Sequence, residues 1–297
     1  MNEIIEKIFE TISIKDLKER IDNFEKLGVD FEYEEAFNIL KKVFLLDVEG
    51  WGISAFKSES REYKEGGIFY RARRMNRERI ELTHNDFWEA PAEVVPRGRI
   101  NKPMEPLLYL SPREPYTPIR ETHIKNGIPF LLVAYEAIAR INVFGIGVGG
   151  GGEGGFSLDT EKKLDIVTEF IKRIFMKNDD KAYVLTNVIS QEVCKFDYDG
   201  WVYPSVANDG GENLCLKLTA KEKLRVHAAF LCQLEDGNIR TTHAIEVSEE
   251  ILVYDDWEDS EGSAHQIFGS LLNHNRDNSS EIETREDIGF PVNVLRP

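Results

Sequence analysis

Apolar residues near the start of the chain recur at the spacing of a helix face. They are Ile4, Ile5, Ile8, Phe9 and Ile12. Ser13 and Asp16 have the spacing of a capping box, which predicts a second helix that ends at Gly28. A third helix is predicted from Tyr33. Residues 1–60 are therefore expected to form a small helical region, which either packs on the main domain or docks a partner.

From Ile68 onward the pattern changes to short strands. IFYRARR (68–74) alternates apolar and basic residues, LLYLS (107–111) is a second strand, and PFLLVAYEA (129–137) is apolar enough for a central strand. Between the last two, Thr117 and Pro118 predict a helix start. This places Glu121 on the opening turn of that helix.

The second half continues with helices and then with strands. Helices are predicted over 159–176 and 186–196, followed by a strand in DGWVYPS (199–205) and its pairing strand NLCLKL (213–218). Beyond residue 221 the pattern predicts an antiparallel, β-rich extension with a partly mobile tail. The expected class is α+β, in three parts: a helical region (1–60), a main domain (61–220) and the extension (221–297).

Composition limits the kinds of partner. The 297-residue chain is 41% hydrophobic and carries a formal net charge of −16, which disfavours binding to nucleic acid. The sequence contains no apolar run as long as a membrane span, and MNEIIEKIFE has acids where a secretory signal is basic. We therefore expect a soluble, cytoplasmic protein. Three cysteines, Cys194, Cys215 and Cys232, lie in apolar surroundings and are predicted to be buried free thiols.

A local basic cluster stands out against this acidic average. It comprises Arg71, Arg73, Arg74, Arg77, Arg79, Arg97, Arg99 and Lys102. For Arg71 and Arg99 the cluster favours one bounded anionic ligand. For the other members, a solvated face paired with nearby acids is the expected role.

Two common kinds of site are not predicted. GIGVGGGGEGG (145–155) formally contains GxGxxG, but further glycines separate it from the next helix. It is therefore interpreted as a mobile loop and not as a dinucleotide fingerprint. The six histidines show no metal-binding spacing, and no metal is expected. They are His84, His123, His227, His243, His265 and His274.

Five polar residues in four short motifs form the candidate site. They are Arg71 in FYRAR (69–73), Arg99 and Tyr109 in GRINKPMEPLLYLS (98–111), Glu121 in YTPIRE (116–121) and Ser205 in DGWVYPS (199–205). Two arginines suit a diphosphate, because a planar guanidinium binds phosphate oxygens in a fixed orientation. A carboxylate can stabilise the positive charge that develops when a ribose–pyridinium bond breaks. The set therefore suits cleavage of a dinucleotide such as NAD.

These motifs, over roughly residues 65–220, resemble the RES-domain family, which is related to the ADP-ribosyltransferases and contains NAD-degrading toxins of bacterial toxin–antitoxin pairs. The resemblance implies an ADP-ribosyltransferase-like split mixed β-sheet core with helices. It implies NAD as substrate, no metal, and an Xre-type antitoxin as partner. A homo-oligomer is a further expectation.

The resemblance also implies a role for each residue. Glu121, Arg71 and Tyr109 are the predicted catalytic residues, and Arg71, Arg99, Tyr109, Ser205 and Tyr203 are predicted to bind the dinucleotide. Ser205 lacks a nucleophile-elbow motif, so it is expected to position the ligand. The acceptor is left open between water and phosphate. ADP-ribosyl transfer to a protein and a nucleotide-sensing module without turnover are the alternative functions.

Overall fold

The structure is a computed structural model that describes most of the chain. The described residues are 2–44, 46–48, 51–53, 56–75, 82–148, 155–194, 197–248, 251–255 and 282–285. Arg77 and Arg79, the centre of the Gly-rich stretch (149–154) and most of the acidic stretch 255–262 lie outside these residues.

Six α-helices and thirteen strands are described. The helices are α1 (Asn2–Glu10), α2 (Ile14–Glu25), α3 (Tyr33–Phe44), α4 (Tyr116–Glu121), α5 (Leu158–Phe175) and α6 (Tyr183–Val188). The strands are β1 (Leu46–Val48), β2 (Trp51–Ile53), β3 (Glu59–Tyr63), β4 (Ile68–Arg74), β5 (Leu108–Pro112), β6 (Phe130–Ala137), β7 (Ile141–Gly145), β8 (Gly200–Pro204), β9 (Glu212–Leu216), β10 (Leu224–Glu235), β11 (Asn238–Val247), β12 (Ile251–Asp255) and β13 (Ile282–Arg285).

Within the described residues, one 11-stranded mixed sheet organises the fold. Its strand order is β12-β11-β10-β6-β4-β5-β9-β8-β7-β3-β13, and β1 pairs with β2 in a separate hairpin. β7 and β8 run parallel, whereas β6 is antiparallel to both of its neighbours, β4 and β10. The fold is therefore α+β, as predicted.

The N-terminal helices form as the sequence predicts. The hydroxyl of Ser13 accepts a hydrogen bond from the N–H of Asp16 at 3.1 Å and caps α2. After α2, Gly28 has a φ of +84°, a left-handed conformation that favours glycine. Ile8 and Phe24 belong to the same apolar cluster as Phe170 of α5 and Trp201 of β8. The helical region thus packs on the main sheet.

The described strands of the predicted part 221–297, which are β10 to β13, belong to the sheet of the main domain. β10 pairs with β6 from Leu224 opposite Ala137 to Cys232 opposite Phe130, and β13 pairs with β3 at the other edge. The described strands of this part are antiparallel to the strands they pair with, and the position 220/221 does not separate two sheets. Pairing of strands that are distant in the chain depends on tertiary contacts that local periodicity does not report.

Two predicted helices differ in detail. α4 begins at Tyr116, and Glu114 caps it by accepting from the N–H groups of Tyr116 (2.6 Å) and Thr117 (2.9 Å). The helix ends at Glu121. The prediction that Glu121 lies on the opening turn is therefore wrong. The helix predicted over 186–196 begins earlier, as α6, and continues as a π-helix, Ile189–Val193.

Two of the general predictions can be checked against the described residues. All three cysteines are buried and free, as predicted. No helix in the described part of the chain is long and apolar enough to cross a membrane.

Candidate functional site

The candidate site is a cavity of about 380 Å³ over the middle of the sheet. Arg71, Tyr109, Asn213 and Tyr203 line it from β4, β5, β9 and β8, four consecutive strands of the sheet. α4, which packs against β4, β5 and β9, adds Glu121. Side chains from distant parts of the sequence therefore face one space.

The predicted site residues largely converge. Five of them, Arg71, Arg99, Tyr109, Glu121 and Tyr203, line this cavity. Ser205, the sixth, is buried and contacts the site through Glu121.

The carboxylate of Glu121 is fixed by two donors. The hydroxyl of Ser205 donates to Oε1 at 2.6 Å, and Nδ2 of Asn213 donates to the same oxygen at 2.7 Å. Ser205 is itself held, because its Oγ accepts from the N–H of Asn208 at 3.0 Å. The carboxylate orientation is therefore set before any ligand enters.

Arg71 presents an unused donor. Its Nη1 is buried and makes no hydrogen bond to the residues that the structure describes. Arg71 also acts on Tyr135: burial raises the pKa of this tyrosine, interaction with the Arg71 guanidinium lowers it, and the net value is about 12. A buried guanidinium nitrogen without a partner is costly, and an anion in the cavity would satisfy it.

Arg99 makes hydrogen bonds to backbone carbonyls, which the sequence did not indicate. Its Nη1 donates to the carbonyl oxygens of Phe175 and, at 3.1 Å, of Lys177, just at and beyond the end of α5. The guanidinium also lies over the ring of Tyr183, 5.0 Å from its centroid. The predicted role of Arg99 in binding diphosphate therefore rests on its other nitrogens, Nε and Nη2.

The GRIN segment that carries Arg99 is held by α6. Asn187 donates from Nδ2 to the carbonyl of Gly98 at 2.8 Å, and Thr186 donates from its hydroxyl to the carbonyl of Arg99 at 2.6 Å. A Cβ atom on Gly98 would lie 2.3 Å from Oδ1 of Asn101. Close packing therefore disfavours any side chain at position 98.

The hydroxyl of Tyr109, one of the two predicted tyrosines, is hydrogen-bonded within the protein. The hydroxyl of Tyr109 donates to Oδ1 of Asn101 at 2.7 Å and accepts from the N–H of Ile100 at 3.3 Å. Burial raises the pKa of Tyr109 and of Tyr203 well above the usual 10, so both stay protonated at neutral pH. Because its hydroxyl is engaged within the protein, Tyr109 offers the cavity its ring.

Sequence reasoning missed several lining residues. Asn213 carried a weak signal, as a polar residue at the start of an apolar strand, whereas Tyr183 carried none. Apolar walls come from Val95, Pro96 and Leu107. The cavity thus joins a charged end to apolar and aromatic walls, as small-molecule sites commonly do.

Two described members of the basic cluster, Arg73 and Arg74, make contacts within the protein. Arg73 pairs with Asp86 at 2.7 Å, and Arg74 donates to the carbonyls of Thr122 and His123. Among the described residues, no group of three or more potential ligands could hold a metal ion. In comparisons with known proteins, no family model and no curated protein matched the sequence.

Proposed function

We propose that the protein is a RES-type enzyme with an ADP-ribosyltransferase-like core that cleaves the nicotinamide–ribose bond of NAD. One observation carries the proposal: five of the predicted residues line a single cavity, and the sixth, Ser205, is hydrogen-bonded to Glu121. The cavity volume, about 380 Å³, lies in the range of small-molecule sites, roughly 300–1,000 Å³.

The geometry supports a division of labour. Arg71 supplies a buried, unpaired donor for a diphosphate oxygen. The rings of Tyr109, Tyr183 and Tyr203 offer surfaces for the nicotinamide end. Glu121 supplies a fixed negative charge near the ribose, where positive charge develops as the bond to nicotinamide breaks.

In the proposed hydrolysis, water adds to C1′ of the ribose while the bond from C1′ to the nicotinamide nitrogen breaks. The bonding electrons return to the pyridinium ring, which leaves as neutral nicotinamide, and the water releases one proton. Because the leaving group needs no protonation, a single carboxylate is sufficient. Phosphate is the second candidate acceptor.

The biological setting follows from the resemblance alone. In this proposal the protein is a cytoplasmic toxin that depletes NAD and is restrained by an Xre-type antitoxin. The proposal also includes a homo-oligomer. It includes no metal, nucleic acid or membrane.

The test is incubation of the purified chain with NAD and phosphate, followed by mass spectrometry. Free ADP-ribose identifies water as acceptor, and its phosphorylated form identifies phosphate. A modified protein in a mixture with cell proteins would favour ADP-ribosyl transfer. Saturable NAD binding with no loss of NAD would contradict the enzyme proposal and favour a nucleotide-sensing module.

A further inference from the structure

The loop that follows β8 is tied to α4 by one half-buried side chain, that of Asn208. Its amide nitrogen, Nδ2, donates to Oγ1 of Thr117 at 2.7 Å and to Oε1 of Glu114 at 3.0 Å. Its amide oxygen, Oδ1, accepts from Nη1 of Arg120. Thr117 lies in the first turn of α4 and Arg120 in the last, and Glu114 caps the helix. Asn208 therefore holds α4 near both of its ends.

The backbone of the same loop is closed on itself. The N–H of Ser205 donates to the carbonyl of Gly211 at 2.8 Å, and the N–H of Gly211 donates to the carbonyl of Asn208 at 2.9 Å. A Cβ atom on Gly211 would lie 2.5 Å from Oγ1 of Thr117 and 2.8 Å from Nδ2 of Asn208. A side chain at position 211 would therefore displace both of these atoms. The loop and α4 are packed as one unit.

This unit includes the carboxylate of Glu121. The N–H of Asn208 donates to Oγ of Ser205 at 3.0 Å, and Ser205 donates to Oε1 of Glu121 at 2.6 Å. An N–H group can only donate and a carboxylate can only accept, so the single hydroxyl hydrogen of Ser205 points at Glu121. The direction of this hydrogen bond depends on where the loop places Asn208.

We infer that Asn208 is a positioning residue for Glu121. Its backbone N–H sets the direction of the Ser205 hydroxyl, and its side chain fixes the loop against the helix that carries the carboxylate. Because Ser205 and Glu121 belong to separate elements, loss of this link lets one shift against the other. The consequence for catalysis rests on the proposed function, whereas the geometry does not.

Crystal structures of the parent and of Asn208→Ala test the geometric part. Alanine keeps the backbone N–H but removes the side-chain contacts that place it. We expect the distance from Oγ of Ser205 to Oε1 of Glu121 to lengthen beyond roughly 3.5 Å, where a direct hydrogen bond is lost. Asp209→Ala, at an exposed position of the same loop, is the matched control and should keep the parent distance. A distance that stays near 2.6 Å in Asn208→Ala would overturn the inference.

Kinetics with NAD test the catalytic consequence. Loss of orientation should lower kcat of Asn208→Ala about tenfold to a hundredfold, whereas KM should stay within about twofold of the parent. A residue that only stabilises the fold would lower Tm and leave kcat of the folded protein unchanged. An unchanged kcat, in a chain whose parent cleaves NAD, would overturn the positioning role.

A double-mutant cycle with Ser205→Ala shows whether the effect passes through the serine. If it does, Asn208→Ala should change kcat by less than about twofold once Ser205 is replaced. Equal reductions of kcat in the parent and in Ser205→Ala would overturn this route.

The variant is expected to fold, because α4 keeps its cap. Glu114 still accepts from the N–H groups of Tyr116 and Thr117. If circular dichroism shows that Asn208→Ala is unfolded, Asn208→Asp takes its place. Aspartate has the same shape and keeps the acceptor for Arg120, but it lacks the two Nδ2 donors.

The outcomes separate this inference from the proposed reaction. A parent that does not consume NAD would overturn the reaction, and the distance between Ser205 and Glu121 would still test the role of Asn208. A parent that cleaves NAD, with the same distance and the same kcat in Asn208→Ala, would overturn the inference and support the reaction.

Discussion

Ser205 donates its hydroxyl hydrogen to Oε1 of Glu121 at 2.6 Å across 84 positions of sequence. The serine lies beyond β8 and the glutamate ends α4, so only the folded chain brings them together. Because the hydroxyl already serves Glu121, Ser205 acts as a support for the carboxylate. This agrees with the rejection of a serine nucleophile from the sequence.

Replacement of Glu121 by glutamine should remove NAD cleavage and largely preserve binding. A unit charge about 4 Å from the reacting carbon, at an effective dielectric of about 20, contributes roughly 4 kcal/mol. This corresponds to about a thousandfold loss of kcat. The measurement is NAD consumption together with calorimetric binding, and Glu222→Gln, at an exposed position, is the control. Parent-like turnover by Glu121→Gln would refute the role of this carboxylate.

Arg71→Ala should act mainly on binding. Loss of a charge-assisted hydrogen bond costs about 1.5–3 kcal/mol, so KM should rise roughly tenfold to a hundredfold while kcat changes little. Arg73→Ala is the matched control, because Arg73 lies two residues along the same strand but pairs with Asp86. An equal rise in KM for both variants would show that the effect comes from disturbing β4 and not from losing the Arg71 guanidinium.

Arg99→Met should lower stability as well as binding. The substitution removes the donor to the carbonyls of Phe175 and Lys177 and the contact with Tyr183. We expect a loss of about 2 kcal/mol, or roughly 4–8 °C in Tm by differential scanning calorimetry. Arg71→Ala should not show this decrease. An unchanged Tm for Arg99→Met would mean that these contacts contribute no net stability.

Gly98→Ala should distort the cavity wall. The new Cβ would lie 2.3 Å from Oδ1 of Asn101 and 3.0 Å from the hydroxyl of Tyr109. These two side chains, which are hydrogen-bonded to each other, would therefore have to move. The expected cost is about 1–3 kcal/mol in the free energy of unfolding, measured with urea. Asn101→Ala in the same chain should relieve part of the clash. The double variant should therefore lose less than the sum of the two single variants.

Glu6→Gln should change how stability depends on pH. Hydrogen bonds from the hydroxyl of Thr160 and the N–H of Ser157 lower the pKa of Glu6 below its usual 4.5. The stabilisation is therefore complete above pH 4.5 and is lost as the pH falls through the lower, folded-state value. We expect a lower Tm than the parent at pH 7 and a smaller difference near pH 3. Glu10→Gln, at an exposed position of the same helix, is the control.

Local elements and the types of site residues could be predicted from the sequence. The capping box at Ser13 and the apolar run 130–137 depend on nearby residues, and both appear as expected. The set of Arg71, Tyr109 and Glu121 was predicted from short motifs and from their resemblance to a known family. These three side chains line one cavity in the structure.

The tertiary structure decided how those groups are used. In the folded protein, Nη1 of Arg99 donates a hydrogen bond to a carbonyl at the end of α5. Asn213 donates a hydrogen bond to the carboxylate of Glu121. The tertiary structure also joined β10 to β6, so that the C-terminal strands extend the central sheet. Periodicity and motifs depend on residues that are close in the chain. The two hydrogen bonds join residues 76 and 92 positions apart, and the strand pairing joins distant segments. Such contacts depend on packing of the whole chain, which no local pattern encodes.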